Sequence, residues 1–395
     1  MPQDPSCIRV VHLTPFVPSP EGHGGNRRSY QVHRDLAEAV GEEAIATIDR
    51  PLDFVPAAAQ QGWRRQANRV RRLLRTLRSN PLKPLRPTPF TPFLFSSPGL
   101  LARYEALVRT PARPPVCVVE HPGFFALARI NRRYGVRAVA CPQNIESLDT
   151  FVPSRQDILG LKAQALDLAS ELKVLAAWDD RLFISRVEAG LAGGLGLQGA
   201  FYPYLPGGEA RERLLAVRAA RARGPSERGL FVMLGTGGHP TTRAALLWWL
   251  EQARREPLPA GVRVVLGGLL TEDLATPERV PPGVELRGWI EPGELYGLLE
   301  RACGFLIPQT VGFGAVTRLV DLACAGVPTI ASEQALWPVS KPPGVYGVPN
   351  EWSTWRTQML RLLDHDAAPD DSYHAWEAAQ ARPLGDVVRR LLREA

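Results

Sequence analysis

The chain has 395 residues, 45% of them hydrophobic and 22% charged, the balance of a folded protein of about two to three domains and not of a disordered chain. Its net charge is +7, yet residues 54–104 hold ten basic residues and no Asp or Glu, so the basicity is one patch. No run approaches the ~18 apolar residues of a membrane span, and the five cysteines never form a CxxC pair. A disulfide framework or cysteine zinc site is therefore not expected. Met1 to Ser6 lacks the basic-then-apolar layout of a secretory signal, and the expected setting is a reducing cytoplasm.

In chain order, Ile8 to Leu13 reads as a short buried strand. A Pro/Gly loop, Pro15 to Gly25, leads from it to a helical pattern in Ser29 to Val40. Between Arg64 and Arg86 lie nine of the ten basic residues, while Trp63, Ala67, Val70, Leu74 and Leu77 recur at helical spacing. Three readings stay open for this stretch. It is a solvated surface helix held by its apolar seam, a basic amphipathic helix on an anionic membrane or acceptor, or a nucleic-acid site. The third is disfavoured, because few aromatics interleave the arginines. A proline-rich linker, Pro81 to Pro92, follows, then a helix around Leu100 to Val108.

Val116 to Val119, Val136 to Ala140 and Arg181 to Ser185 read as further strands, with helices Phe125 to Arg133 and Leu159 to Ala177 between them. From about Ala200 the register restarts through a linker at Pro203, Pro206, Gly207 and Gly208. Strands Leu230–Leu234, Val262–Leu266, Val284–Leu286, Gly304–Ile307 and Val327–Ala331 then alternate with helices Thr242–Arg254, Leu295–Ala302 and Arg318–Ala325. Two such series imply an α/β protein of two doubly wound, parallel-sheet (Rossmann-like) domains facing an interdomain cleft. The expected division is 1–203, 204–370 and a carboxyl-terminal helical segment, 371–395, that packs back on the first domain.

The sharpest constellation is Gly312-Phe313-Gly314-Ala315-Val316-Thr317-Arg318-Leu319-Val320-Asp321, followed by Ala325-Gly326-Val327-Pro328. It comes after a strand and opens a helix. Glycines let a backbone approach a ligand closely, and a helix N-terminus offers unpaired N–H groups to a diphosphate. Arg318 can add a charge-assisted contact to phosphate, and Asp321, one turn on, can accept a ribose diol. An exposed ion pair is the plain alternative for these two residues.

This string resembles the carboxyl-terminal domain of GT-B glycosyltransferases, in particular the retaining family 4. Val262 to Gly267, Val284 to Ile290 and Phe183 to Glu188 resemble further steps of that family in the expected order. Pro18 to Gly25 resembles its glycine loop, and Gln143-Asn144-Ile145-Glu146 its His-Asn-x-Glu segment. The resemblance covers about residues 8 to 335. It implies a hexosyltransferase that moves a sugar from a nucleotide-diphosphate sugar to a glycan, lipid-linked or small-molecule acceptor, with no metal and no other cofactor.

Carried over by position, the donor-binding residues are Gly24, Gly25, Gly235, Gly237, His239, Gly312, Phe313, Gly314, Arg318 and Asp321. Gln143 and Asn144 are expected at the acceptor or sugar. His121 and Arg318 are expected nearest the chemistry, with a structural hydrogen bond as the alternative for His121. Hinge motion is expected at residues 200–210, and peripheral contact with the inner face of a membrane through Trp63–Arg86.

The chain departs from the family pattern at Asp321, where Glu is usual, and at Gln143, where a histidine often faces the sugar. An Arg/Lys pair after the first strand of the second domain has no match in Gly235 to Pro240, and Arg243 is the nearest cation. These departures motivate a second reading, a sugar-nucleotide-binding or partner protein without turnover. A third, a sugar-nucleotide epimerase, would need paired carboxylates and a histidine converging on the sugar.

Overall fold

The computed structural model describes residues 7–49, 94–109, 113–149, 158–224, 226–364 and 369–394, without the side chains of 149, 158–166 and 364. The basic stretch Trp63–Arg86 and the linker Pro81–Pro92 lie outside these residues. The chain divides into two compact units, Met1–Pro203 with Ala381–Ala395, and Tyr204–Gln380.

In the first unit, short runs of Val, Ile and Ala form strands because both of their faces are covered. They are β1 (Val10–Leu13), β2 (Ile45–Ile48), β3 (Val116–Val119), β4 (Ala138–Ala140), β5 (Asp180–Phe183) and β6 (Ala200–Phe201), in the sheet order β2-β1-β3-β4-β5-β6. Every pairing is parallel. The helices of this half are α1 (Gly24–Val40), α2 (Pro98–Arg109), α3 (Ala128–Tyr134), α4 (Glu146–Asp149), α5 (Ile158–Leu175) and α6 (Arg186–Gly194).

Side-chain parity along the strands decides what meets what. Val11, Leu13, Cys117 and Val119 face a core with Leu100 and Tyr104 of α2. Val10, Val116 and Val118 face the other core, with Val32 and Leu36 of α1. His12 and Glu120 share the even parity, which turns them toward α1. That helix ends at Gly41, whose φ of +89° suits a residue without Cβ and whose N–H reaches the Ala37 carbonyl.

The second unit holds α7 (Gly208–Arg221), β7 (Glu227–Leu234), α8 (Pro240–Arg255), β8 (Arg263–Gly267), β9 (Val284–Gly288), α9 (Pro292–Arg301), β10 (Ala302–Ile307), α10 (Thr317–Cys324), β11 (Thr329–Ser332), α11 (Glu333–Leu336), β12 (Val345–Val348), α12 (Trp352–Asp364) and α13 (Tyr373–Ala378). Its sheet order is β12-β11-β10-β7-β8-β9, again all parallel. The order reverses between β7 and β10, and in the first unit between β1 and β3. Ligands of such sheets bind outside the carboxyl ends of the strands at these switch points.

The segment expected as one piece at 371–395 divides instead at 380/381. Tyr373 of α13 belongs to a core of the second unit, and Glu377 receives Arg211 of α7 at 2.7 and 2.9 Å. The last helix, α14 (Leu384–Glu394), buries Leu384, Val388 and Leu391 in the core beneath α1. The apolar spacing of α14 matches α1, while Tyr373 and Glu377 find their partners on α7. The segment expected as a linker, Pro203 to Gly208, leads directly into α7, a helix not foreseen from the sequence, with Ala210, Leu214, Val217 and Arg221 buried along one face. Trp249 packs edge-on against Trp352, and Trp248 against Trp355, so these tryptophans are core. No disulfide joins the five cysteines.

Candidate functional site

At the β1/β3 switch point of the first unit, His12 and Glu120 are fully buried. His12 Nε2 lies 2.5 Å from Glu120 Oε1, and Ser29 Oγ of α1 donates to Glu120 Oε2 at 2.6 Å. Gln143 Nε2 donates to the same oxygen at 2.6 Å, and is 3.0 Å from Ser29 Oγ and 3.3 Å from the Gly25 carbonyl. Among the described residues His12 Nδ1 has no hydrogen-bond partner and is buried. Glu120 thus gathers His12, Ser29 and Gln143 around one buried carboxyl group. This network draws Gly25 and Gln143 together.

Gly24 and Gly25 are the first turn of α1, not a free loop. His23 caps that helix, its Nδ1 accepting from Gly25 N at 3.0 Å. Burial, and then the Arg27 charge, lower the pKa of His23. A Cβ on Gly25 would come within 2.7 Å of the Phe16 ring, so the close approach of that ring demands glycine.

His121 takes a different place. Its Nδ1 accepts from Gly123 N at 2.8 Å, capping the 3-10 turn Pro122–Leu127, and its ring meets Phe95 edge-on. Burial pushes its pKa down to about 4. The imidazole is thus neutral at pH 7 with its proton on Nε2, which lies 3.6 Å from Glu146 Oε1. Nε2 faces the 143–147 loop from beyond hydrogen-bond distance.

Two buried carboxylates hold that loop from behind. Glu171 of α5 accepts from Glu146 N at 2.8 Å, Ser147 N at 2.9 Å and Ser147 Oγ at 2.7 Å. Glu188 of α6 accepts from Ile145 N at 2.8 Å. Burial raises the pKa of Glu171 to about 7 against the pull of these donors. Asn144, half-buried, sits between Gln143 and this clamp.

In the second unit the loops after β7, β8 and β10 meet. Gly235 N bonds the Gly267 carbonyl at 3.0 Å and Gly237 N the Leu269 carbonyl at 2.8 Å. A Cβ on Gly237 would stand 2.1 Å from the Leu270 carbonyl, and one on Gly268 1.8 Å from that of Gly235. These glycines are required by loop-on-loop packing, whatever else they do. Leu270 itself has a φ of +60°, a conformation that costs an ordinary side chain energy. His239 is exposed and begins α8, with Nδ1 2.8 Å from Thr241 Oγ1. Arg243 reaches the Gly237 carbonyl at 3.5 Å.

Across the switch point, Gly312 has a φ of +88°, and its carbonyl accepts from Gln334 Nε2 at 2.9 Å and Gln309 Nε2 at 3.3 Å. Ser332 accepts from Gln309 N at 2.8 Å and donates to Asn350 at 2.7 Å. Gln334, Ser332 and Asn350 therefore brace the glycine loop. Phe313 and Gly314 are half-buried in it. Arg318, in the first turn of α10, donates to the Leu234 carbonyl at the end of β7, which places its guanidinium beside Gly235. Asp321 is buried one turn further on, and Tyr204 donates to its Oδ1 at 3.0 Å.

Sequence reasoning missed His12, Ser29 and Tyr204 in these sites. Strand parity carried the signal for His12, whereas Ser29 and Tyr204 depend on packing between distant segments. Among the described residues no group of three or more His, Cys, Asp or Glu is placed to hold a metal ion, and no helix is long and apolar enough to cross a membrane.

No protein-family model matches the chain, and no curated protein matches its sequence. Solved structures are similar in fold. HepE of Anabaena, in complex with UDP, superposes with a TM-score of 0.58 at 11% identity, over 98% of this chain and all (100%) of that one. An α,α-trehalose-phosphate synthase (UDP-forming) from Burkholderia vietnamiensis gives 0.58 at 13% identity, over 98% and 100%. A glycosyltransferase from Rickettsia africae gives 0.58 at 9%, over 98% and 99%. Of TarM the chain spans only 55% of the length, at a TM-score of 0.45, and that likeness carries no argument. With two all-parallel six-stranded sheets, each reversing at a switch point, and with these likenesses over nearly its whole length, the chain has the GT-B fold.

Proposed function

We propose that the chain is a nucleotide-sugar-dependent glycosyltransferase whose donor rests on the second unit. The observation that carries this reading is the meeting, at the β7/β10 switch point, of the Gly235 loop, the braced Gly312–Gly314 loop and Arg318 at the mouth of α10. In this reading the diphosphate lies against Gly235, Gly237, Gly312, Phe313, Gly314 and the first N–H groups of α10. Arg318 swings from the Leu234 carbonyl to a phosphate oxygen, and His239 borders the same loop. Asp321 accepts the ribose diol. Fixed donors facing the leaving diphosphate supply the electrostatic stabilisation that dominates many such reactions, and the reading assigns this charge to no metal.

On the first unit, Gly24 and Gly25 address the phosphates, while Gln143 and Asn144 address the sugar or acceptor. His121 acts as a hydrogen-bond donor. Since Gln143 is neither acid nor base, the acceptor proton passes to a donor phosphate oxygen, a route that agrees with retention and with a hexosyltransferase of family 4. HepE has been solved with UDP and with UDP and glucose, which makes uridine diphosphate sugars the first donors to try. Acceptors of glycan, lipid-linked and small-molecule type all fit the reading.

The test is release of nucleoside diphosphate from UDP-, GDP- and ADP-glucose in the presence and absence of acceptor mixtures. Acceptor-dependent release that falls at least about tenfold in Arg318→Ala is expected, one charge-assisted contact's worth. Binding without release would favour the second reading, a sugar-nucleotide-binding partner protein. The locking of Gln143 by Glu120 and Ser29 speaks for that alternative. Contact of Trp63–Arg86 with the inner face of an anionic membrane is a further proposal. Equal pelleting with anionic liposomes after Arg71, Arg72 and Arg75 are changed to Glu would end it.

A further inference from the structure

Tyr204 opens the second unit at the point where the chain leaves the first. It is 4% exposed, and its phenol oxygen lies 3.0 Å from Asp321 Oδ1 as the donor. A buried carboxylate takes the orientation its donors impose. A phenol moves about only two side-chain torsions, so it is a stiff arm.

Within the first unit, the Pro203 carbonyl, where the chain leaves it, accepts from Gln31 Nε2 at 2.9 Å and Arg28 Nη1 at 3.3 Å. The Arg28 guanidinium in turn lies 3.9 Å above the Tyr202 ring. Asp has a side chain one methylene shorter than Glu, with less freedom to reach for a ligand, so the direction in which its carboxylate is set matters more.

We propose that Tyr204 is a positioning residue for the donor site: its hydroxyl sets the Asp321 carboxylate in the orientation that receives a ribose diol. The inference rests on the reading of Asp321 as the ribose-binding acid. Tyr204 acts through Asp321 and needs no contact with the nucleotide. The residue at the chain crossing thereby tunes discrimination between ribose and 2′-deoxyribose, a property that nothing in the glycine loops would confer.

The experiment titrates the full chain calorimetrically with UDP, GDP and ADP and with their 2′-deoxy counterparts. For the wild type, the best ribonucleotide should bind about tenfold more tightly than its deoxy form, the scale of one hydrogen bond to a charged group. Tyr204→Phe removes one oxygen and keeps the ring. It should weaken the ribonucleotide severalfold, leave the deoxy form unchanged and bring the ratio toward one. Asp321→Asn should collapse the same ratio.

Equal weakening of both forms in Tyr204→Phe would show a merely structural role and overturn the proposal, as would an unchanged ratio. If the ratio survives in Asp321→Asn, or if no diphosphate binds the wild type, the ribose-binding reading itself falls and the inference with it. Collapse in Asp321→Asn alone overturns only the assignment to Tyr204. Should Tyr204→Phe fail to fold, as its melting curve would report, Tyr204→Trp, which supplies a donor at a different place, must also lower the ratio for the proposal to stand.

Discussion

A half-buried histidine and a buried glutamate give the first unit opposite responses to pH. His121 is held down to about 4 from an ordinary 6.5. The folded state therefore refuses a proton that the unfolded chain accepts, and stability present above pH 6.5 is lost as the pH falls toward 4. Glu171 is held up at about 7 from 4.5. Its favourable contribution is complete below pH 4.5 and is lost as the pH rises through 7. Each shift corresponds to about 3 kcal/mol at its limit. His121→Asn keeps a capping side chain and removes the titration, so relative to wild type it should gain stability between pH 6.5 and pH 4. Glu171→Gln should gain relative to wild type between pH 4.5 and pH 7. Urea unfolding of the two variants across this range checks both signs, and parallel curves for wild type and either variant would contradict that assignment.

The elements explain what could be read in advance and what could not. Val116–Val119 and Phe305–Ile307 stand out as apolar runs because parallel strands are buried on both faces, and the glycine string after β10 announces its helix by its own chemistry. β2 and β12, each four residues long, carry little pattern of their own, and they exist because β1 and β11 offer them an edge. The charged sequence of α7 conceals four buried residues behind arginines whose stems lie along the core. In the candidate site, Arg318 and Asp321 were singled out from spacing and type, and Gly25 and Gln143 by the family resemblance. The partners that hold them were not: Ser29 to Glu120 and Tyr204 to Asp321 span 91 and 117 residues, and no local pattern reports a contact of that range. Gly235 and Gly237 were read for a ligand, whereas the neighbouring loops already require them. The terminal helix α14 gives a test at this scale. Removing 381–395 uncovers the apolar surface beneath α1, and burial of three aliphatic side chains is worth roughly 5 kcal/mol. Hydrogen exchange should accelerate in α1, β1 and β3 while the second unit keeps its protection. Unchanged exchange in α1 would contradict the packing.

At the scale of the whole molecule, the chain builds the first sheet, crosses at 203/204, builds the second and returns at 380/381 to add a last helix to the first unit. Each sheet reverses once, and at each reversal the sequence places glycines with a helix N-terminus beside them: Gly24 and Gly25 at α1, Gly312 and Gly314 ahead of α10. Side-chain hydrogen bonds from Gln309 and Gln334 to the Gly312 carbonyl, beside the Gly235 loop pinned by backbone bonds to Gly267 and Leu269, make the second of these a preformed surface, which lowers the ordering cost of binding. The account stands on that surface taking a nucleoside diphosphate. The most direct measurement is calorimetric titration of the wild type and of Arg318→Ala with UDP, GDP and ADP. One diphosphate should bind the wild type, with affinity reduced at least about tenfold in the variant, as the loss of one charge-assisted contact requires, and with the free variant still folding cooperatively in a melting curve. Equal affinity of the two proteins, or no binding of any of the three, would contradict it.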